Sequence, residues 1–163
     1  MDKENFLTII KDHQNLIYKI CYSYCSDMEK RNDLQQEIFL QLWKSFEKYD
    51  GRAKMSTWIY RISLNTAISF YRKNKKHNNK KADINESLIS LSYSDNTIEQ
   101  NENITLLYSI INQLNDFDKA LILLYLDDYK YEDIAEILGI TKTNVATKIS
   151  RIKKVLKEKI NKY

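Results

Sequence analysis

The chain has 163 residues, no proline and only two glycines, Gly51 and Gly139. Few positions can therefore break a helix or supply the positive torsions of hairpin turns, which disfavours a β-rich fold and predicts an all-α one. Its net charge of +4 is by itself a weak argument for a nucleic-acid partner.

The distribution of charge says more. Lys44 to Lys81 holds eleven Lys or Arg against Glu47 and Asp50, and Thr141 to Tyr163 holds eight against Glu158. Ala82 to Asn103, between them, has five acidic residues and no basic one. Two basic blocks around an acidic connector suggest two phosphate-facing surfaces. Cys21 and Cys25 have only His13 and His77 for company, so no ligand set at zinc spacing exists and neither metal nor cofactor is expected. The chain has no basic-then-apolar opening segment and no apolar run near the roughly eighteen residues of a membrane span. A cytoplasmic protein that does not insert into membranes is expected.

In chain order, Phe6, Ile9, Ile10, Leu16, Ile17, Ile20, Cys21 and Tyr24 recur at helical spacing and predict a first helix, ended by the polar stretch Ser26 to Asn32. Leu34, Ile38, Phe39, Leu42, Trp43 and Phe46 predict a second, closed by a turn at Tyr49, Asp50 and Gly51. A third is predicted from Ser56, read as its N-cap, through Trp58, Ile59, Ile62, Ala67, Ile68 and Phe70. From Asn74 to about Asn103 no period is sustained, which reads as a linker whose Leu88, Ile89, Leu91 and Tyr93 are either incidental or able to dock on a partner. Helical spacing resumes at Ile104, Leu107, Ile110, Ile111 and Leu114, then Phe117, Leu121, Leu124 and Tyr125 follow the capping candidates Asn115 and Asp116.

Tyr131 to Leu156 is the most informative stretch. A helix-turn-helix needs a small residue where its helices cross, a glycine to turn the chain and an apolar lock on the second helix. Ala135, Gly139 and Val145 fill these roles, with Ile134, Leu138, Ile140, Ile149 and Ile152 as inner faces and Thr141 as a cap. The outer face of the second helix shows Lys142, Thr143, Asn144, Thr147, Lys148 and Arg151. Asn and Arg can contact base edges in the major groove, and Lys and Thr can reach phosphates. Upstream, Asp33, Gln36 and Glu37 fall three and four apart and share one helical face. With no catalytic companion, that face suits a basic protein surface better than acid-base chemistry, so no enzyme is expected.

These blocks resemble a known family. Asp33 to Arg72 is similar to region two of the sigma-70 family of bacterial RNA polymerase sigma factors, and Leu107 to Leu156 resembles region four. Both in order, joined by a short linker and without the family's larger extra domains, resemble the extracytoplasmic-function (ECF) subgroup. The resemblance implies two small helical domains, a region-two bundle over 1–75 and a region-four helix-turn-helix over 104–163, joined by a flexible linker over 76–103. It implies a factor that binds core RNA polymerase, directs it to promoter DNA and nucleates melting, and that an anti-sigma partner commonly restrains.

Carried over by position, Asp33, Gln36 and Glu37 would meet the coiled-coil clamp helices of the polymerase. Tyr49 to Ser56, including Lys54 and Met55, matches the loop that takes up an unstacked base of the minus-ten element, with Asn65 at a matching polar position. Arg61, Arg72 and Lys73 would face phosphates, and Trp58 reads as core. Lys142, Thr143, Asn144, Thr147, Lys148 and Arg151 would face the minus-thirty-five element. The sequence departs from the family pattern at Ala146, where a basic residue is usual, at Lys148, where Arg is usual, and at Ile152, where Ala is usual. A regulator whose helix-turn-helix binds an operator without polymerase is the alternative function.

Overall fold

The computed structural model describes residues 3–25, 27–78 and 102–162, and every regular element among them is α-helical. The chain divides into two compact units, Met1–Asp83 and Ile84–Tyr163. Most of the expected linker, with its acidic run and Leu88, Ile89, Leu91 and Tyr93, lies outside the described residues.

The first unit contains α1 (Lys3–Asp12), α2 (Gln14–Tyr24), α3 (Met28–Phe46) and α4 (Met55–Asn78). The single first helix expected from periodicity is thus two. The break falls at His13, whose backbone N–H donates to Ile9 and Ile10 and whose ring Nδ1 donates to the Ile9 carbonyl at 2.8 Å. A side chain that binds local backbone offers an alternative to the helical ladder, and hydrophobic spacing carries no trace of this. The polar break after α2 is also shorter than expected. Asp27 caps α3 by accepting from the Glu29 N–H at 3.0 Å, so Met28 to Asn32 are already helical.

Along α3, Leu34, Ile38 and Leu42 are fully buried and Phe46 nearly so, a spacing of four that keeps them on one line facing α2 and α4. Phe39 and Trp43 stand beside that line, half-buried and 46% exposed respectively. From α4 come Ile59, Leu64 and Ala67, and from α2 come Ile17 and Ile20. Phe6 of α1 seals one end, its ring T-shaped to those of Trp43 and Phe46 with centroids 5.0 and 5.1 Å apart. Helix α4 begins at Met55, two residues earlier than a cap at Ser56 would start it, the Trp58 N–H reaching the Lys54 carbonyl at 3.0 Å, so Ser56 lies within the first turn and is not the N-cap. The helix also continues to Asn78, which moves the start of the linker beyond residue 76.

Ser63 is fully buried on α4, and among the described residues its hydroxyl has no hydrogen-bond partner. A buried, unsatisfied hydroxyl costs about 1–3 kcal/mol. Ser63→Ala is therefore expected to leave the thermal midpoint unchanged or raise it, and a drop equivalent to more than about 1 kcal/mol in a melting curve would contradict the assignment.

The second unit contains α5 (Glu102–Ile111), α6 (Asp116–Leu126), α7 (Tyr131–Leu138) and α8 (Lys142–Ile160). Helix α8 packs against α5, α6 and α7 through buried Val145, Ile149, Ile152 and Leu156. Asn115 caps α6, its side chain accepting from the Asp118 N–H at 2.9 Å. Ile110, Ile111, Leu121, Leu124 and Ile134 complete a core with essentially no exposure.

Candidate nucleic-acid and polymerase interfaces

The helix-turn-helix is built as its sequence implies. Gly139 ends α7 at φ +68°, a left-handed conformation that glycine adopts without strain, and the N–H groups of Gly139 and Ile140 both return to the Ala135 carbonyl. Thr141 then caps α8, its hydroxyl accepting from the Asn144 N–H at 3.1 Å. Val145 is completely buried and locks α8 onto α7. Ile137, which the sequence reading left out, is buried here, while Leu138 and Ile140 are only half-buried. On a short helix the 134 and 137 positions form the inner line, a choice that periodicity over eight residues leaves open.

Six residues were expected on the outer face of α8, and the structure brings them together. Thr143, Asn144, Thr147 and Arg151 are exposed along the outer side of the first three turns. Two of the cations are already engaged. Lys142 bridges to Glu132 in the first turn of α7, and that hydrogen bond holds the Glu132 carboxyl below the usual carboxylate range. Lys148 is half-buried with its ammonium 5.3 Å above the Phe117 ring of α6. Further along α8, Lys153 donates to the Tyr125 hydroxyl at 3.2 Å and lies 5.1 Å from the centre of its ring. The aromatic residues of α6 thus orient two cations of α8, a support that pattern reading did not find because it joins helices far apart in sequence.

In the first unit, Asp33 and Gln36 are exposed on α3 and Glu37 beside them is half-buried, accepting from the Gln41 amide at 2.8 Å. The acidic-amide face exists as expected, and it continues into exposed Leu40. Between α3 and α4 the expected capture loop is tightly tied. Tyr49 donates its hydroxyl to the Ala53 carbonyl at 2.6 Å and sets its ring 5.2 Å from that of Trp58. Lys54 is exposed, while Met55 and Ser56 are half-buried. Along α4, Arg61, Asn65 and Arg72 follow at helical spacing, the first half-buried and the others exposed. Trp58 is half-buried against Phe46 and Tyr49, in keeping with a packing role.

Burial pushes the Cys21 thiol up to about 12, and Cys25 close by adds to the shift, so Cys21 stays protonated at neutral pH. The two cysteines form no disulfide. Among the described residues no group of three His, Cys, Asp or Glu could hold a metal ion, and no helix is long and apolar enough to cross a membrane.

Known families match both units. The model of sigma-70 region 2 matches residues 9–77, and that of sigma-70 region 4 matches residues 104–156. The ECF RNA polymerase sigma factor SigW of Bacillus subtilis is 27% identical over 178 residues, covering 98% of this chain and 90% of the relative. The ECF RNA polymerase sigma-E factor of Haemophilus influenzae is 27% identical over 172 residues, covering 98% of this chain and 89% of the relative. Among solved structures, the sigma factor RpoE from Bartonella quintana, in complex with the anti-sigma factor NepR, superposes with a TM-score of 0.67 at 19% identity over 98% of this chain and 96% of that one. CnrH in complex with the cytosolic domain of CnrY gives 0.69 at 16% identity over 98% of this chain and 90% of that one. At such identities the two structures establish the fold. The chain belongs to the sigma-70 family of RNA polymerase sigma factors, in its extracytoplasmic-function group. Core RNA polymerase and promoter DNA are the partners of a sigma factor.

Proposed function

We propose that this chain directs core RNA polymerase to its promoters by a division of labour between its two units, acting in the cytoplasm and by binding alone. The residues 1–75 take the polymerase clamp through Asp33, Gln36 and Glu37 and the minus-ten element through the loop from Tyr49 to Ser56 and the α4 residues Arg61, Asn65 and Arg72. The residues 104–163 take the minus-thirty-five element through Lys142, Thr143, Asn144, Thr147, Lys148 and Arg151. One observation carries the reading: a helix-turn-helix with an exposed polar face on one unit accompanies an acidic-amide helix, a braced loop and a basic helix on the other.

Energetics limit what the loop does. Stacking in DNA is worth about 1.4 kcal/mol per step, so opening some ten base pairs costs on the order of 14 kcal/mol. One or two captured bases return roughly 1–3 kcal/mol each. Capture therefore nucleates melting, and the polymerase supplies the remainder. Restraint by an anti-sigma partner belongs to the same proposal, since the Bartonella quintana relative was solved with one.

Run-off transcription with bacterial core polymerase and this chain on a promoter library tests the proposal. New core-dependent transcripts are expected, and Lys148→Ala is expected to lower them about tenfold, the scale of one lost groove contact. DNA binding that is indifferent to polymerase would instead identify an operator-binding regulator.

A further inference from the structure

The expectation that Tyr49 meets the captured base conflicts with how it is held. Its hydroxyl is spent on the Ala53 carbonyl at 2.6 Å, a bond that crosses the loop from one stem to the other. Its ring lies 5.2 Å from Trp58 at an interplanar angle of 52°, and Trp58 in turn lies 6.3 Å from Phe46 at the end of α3. The Tyr49 N–H donates to the Phe46 carbonyl at 3.1 Å. Backbone, ring and hydroxyl of one residue therefore tie the end of α3, the far stem of the loop and the first turn of α4 together.

The loop tip is arranged in the same way. Asp50 accepts from the Arg52 backbone N–H at 3.1 Å with one carboxylate oxygen and pairs with the Arg52 guanidinium at 3.2 Å with the other. Gly51 between them turns the chain at φ +75°, with nothing within 4 Å of where a side chain would begin. For Tyr49 to swing out onto a base it would have to give up a short hydrogen bond and an aromatic contact, and it would release the loop in doing so.

We propose that Tyr49 is the positioning residue of the capture loop: its hydroxyl bond to Ala53 and its ring contact with Trp58 set the loop shape before DNA arrives, and it does not itself stack on the captured base. This rests on the reading of the loop as a single-strand capture site and deepens it. A site that is already in its binding shape binds with its full intrinsic affinity, whereas a site that adopts that shape only part of the time binds in proportion to that fraction. Loss of the tie therefore slows strand association and leaves dissociation of the bound strand unchanged. Loss of a base contact does the reverse.

Tyr49→Phe removes the hydroxyl and keeps the ring, so it separates the two roles. The measurement is stopped-flow binding of a fluorescent single-stranded oligonucleotide, carrying the minus-ten sequence found by run-off mapping, to holoenzyme assembled from core polymerase and the full chain. Tyr49→Phe is expected to slow association about 3- to 10-fold, the scale of one hydrogen bond, with dissociation and affinity for core unchanged. If Tyr49→Phe associates like the parent chain, or if Tyr49→Ala acts mainly by speeding dissociation, the proposal is overturned. Amide hydrogen exchange of residues 50–53 in the chain without DNA gives a second reading. Exchange there is expected to rise in Tyr49→Phe, and equal protection in both proteins also overturns the proposal. A parent holoenzyme that captures no strand at all would defeat the capture-site reading, while the exchange result would still report on the tie.

Discussion

Reversing both charges on the exposed face of α3, with Asp33→Lys and Glu37→Lys in one chain, is expected to weaken holoenzyme formation at least about 100-fold and to remove core-dependent transcription. The face pairs an exposed carboxylate with an adjacent half-buried one that Gln41 holds in place. Its proposed partner is basic, and like charges facing one another across an interface cost several kcal/mol. About 2.8 kcal/mol suffices for a hundredfold loss. Both positions lie off the line of Leu34, Ile38 and Leu42, so the helix content and melting of the free chain should change little. Titration of labelled chain into core polymerase reads the affinity. Binding like that of the parent would mean that another face meets the polymerase, and loss of helix content would mean that the variant tests folding instead.

The largest stability effect is expected inside the same helix. Ile38 has no exposure and lies on the face of α3 that meets α2 and α4, so Ile38→Ala deletes buried methyl groups from the core. Such truncations cost about 2–5 kcal/mol, out of a total stability of about 5–15 kcal/mol for a small domain. For a domain of this size each kcal/mol moves the midpoint by roughly 4–8 °C, so the first unit's calorimetric transition should fall by about 8–40 °C. Leu40→Ala, two positions along on a side chain that is 44% exposed, should cost less than about 1 kcal/mol. Equal effects of the two substitutions would mean that α3 does not bury the face described.

The contrast between Ile38 and Leu40 also shows how far the sequence could be read. Hydrophobic spacing reports what an element buries, and it located α3, α6, α7 and α8 together with most of their inner residues. The helix-turn-helix was legible in detail because Gly139 and Thr141 are local devices with local signatures. Spacing does not report interruptions made by polar side chains, so the break at His13 and the early start of α3 at the Asp27 cap both escaped it. The start of α4 was misplaced by two residues because Ser56 has the chemistry of a cap, while the first helical bond of the chain is accepted by the Lys54 carbonyl. The residues proposed for the interfaces were all named from the sequence. Their supports were not, since the hold of Phe117 on Lys148 and of Tyr49 on Ala53 depends on packing in three dimensions.

The aromatic packing of the first unit also makes the chain its own optical reporter. Its only two tryptophans are Trp43 and Trp58, and both stand in that unit. Light that excites indole but not phenol therefore illuminates one half of the protein and is blind to the recognition helix. Trp43, 46% exposed on the helix proposed to face polymerase, should shift to the blue as holoenzyme forms. Trp58, in contact with Tyr49 behind the loop, should instead register the arrival of a single strand. Trp43→Phe and Trp58→Phe chains would turn the two steps of promoter engagement into two separate colours of one experiment, with no dye attached.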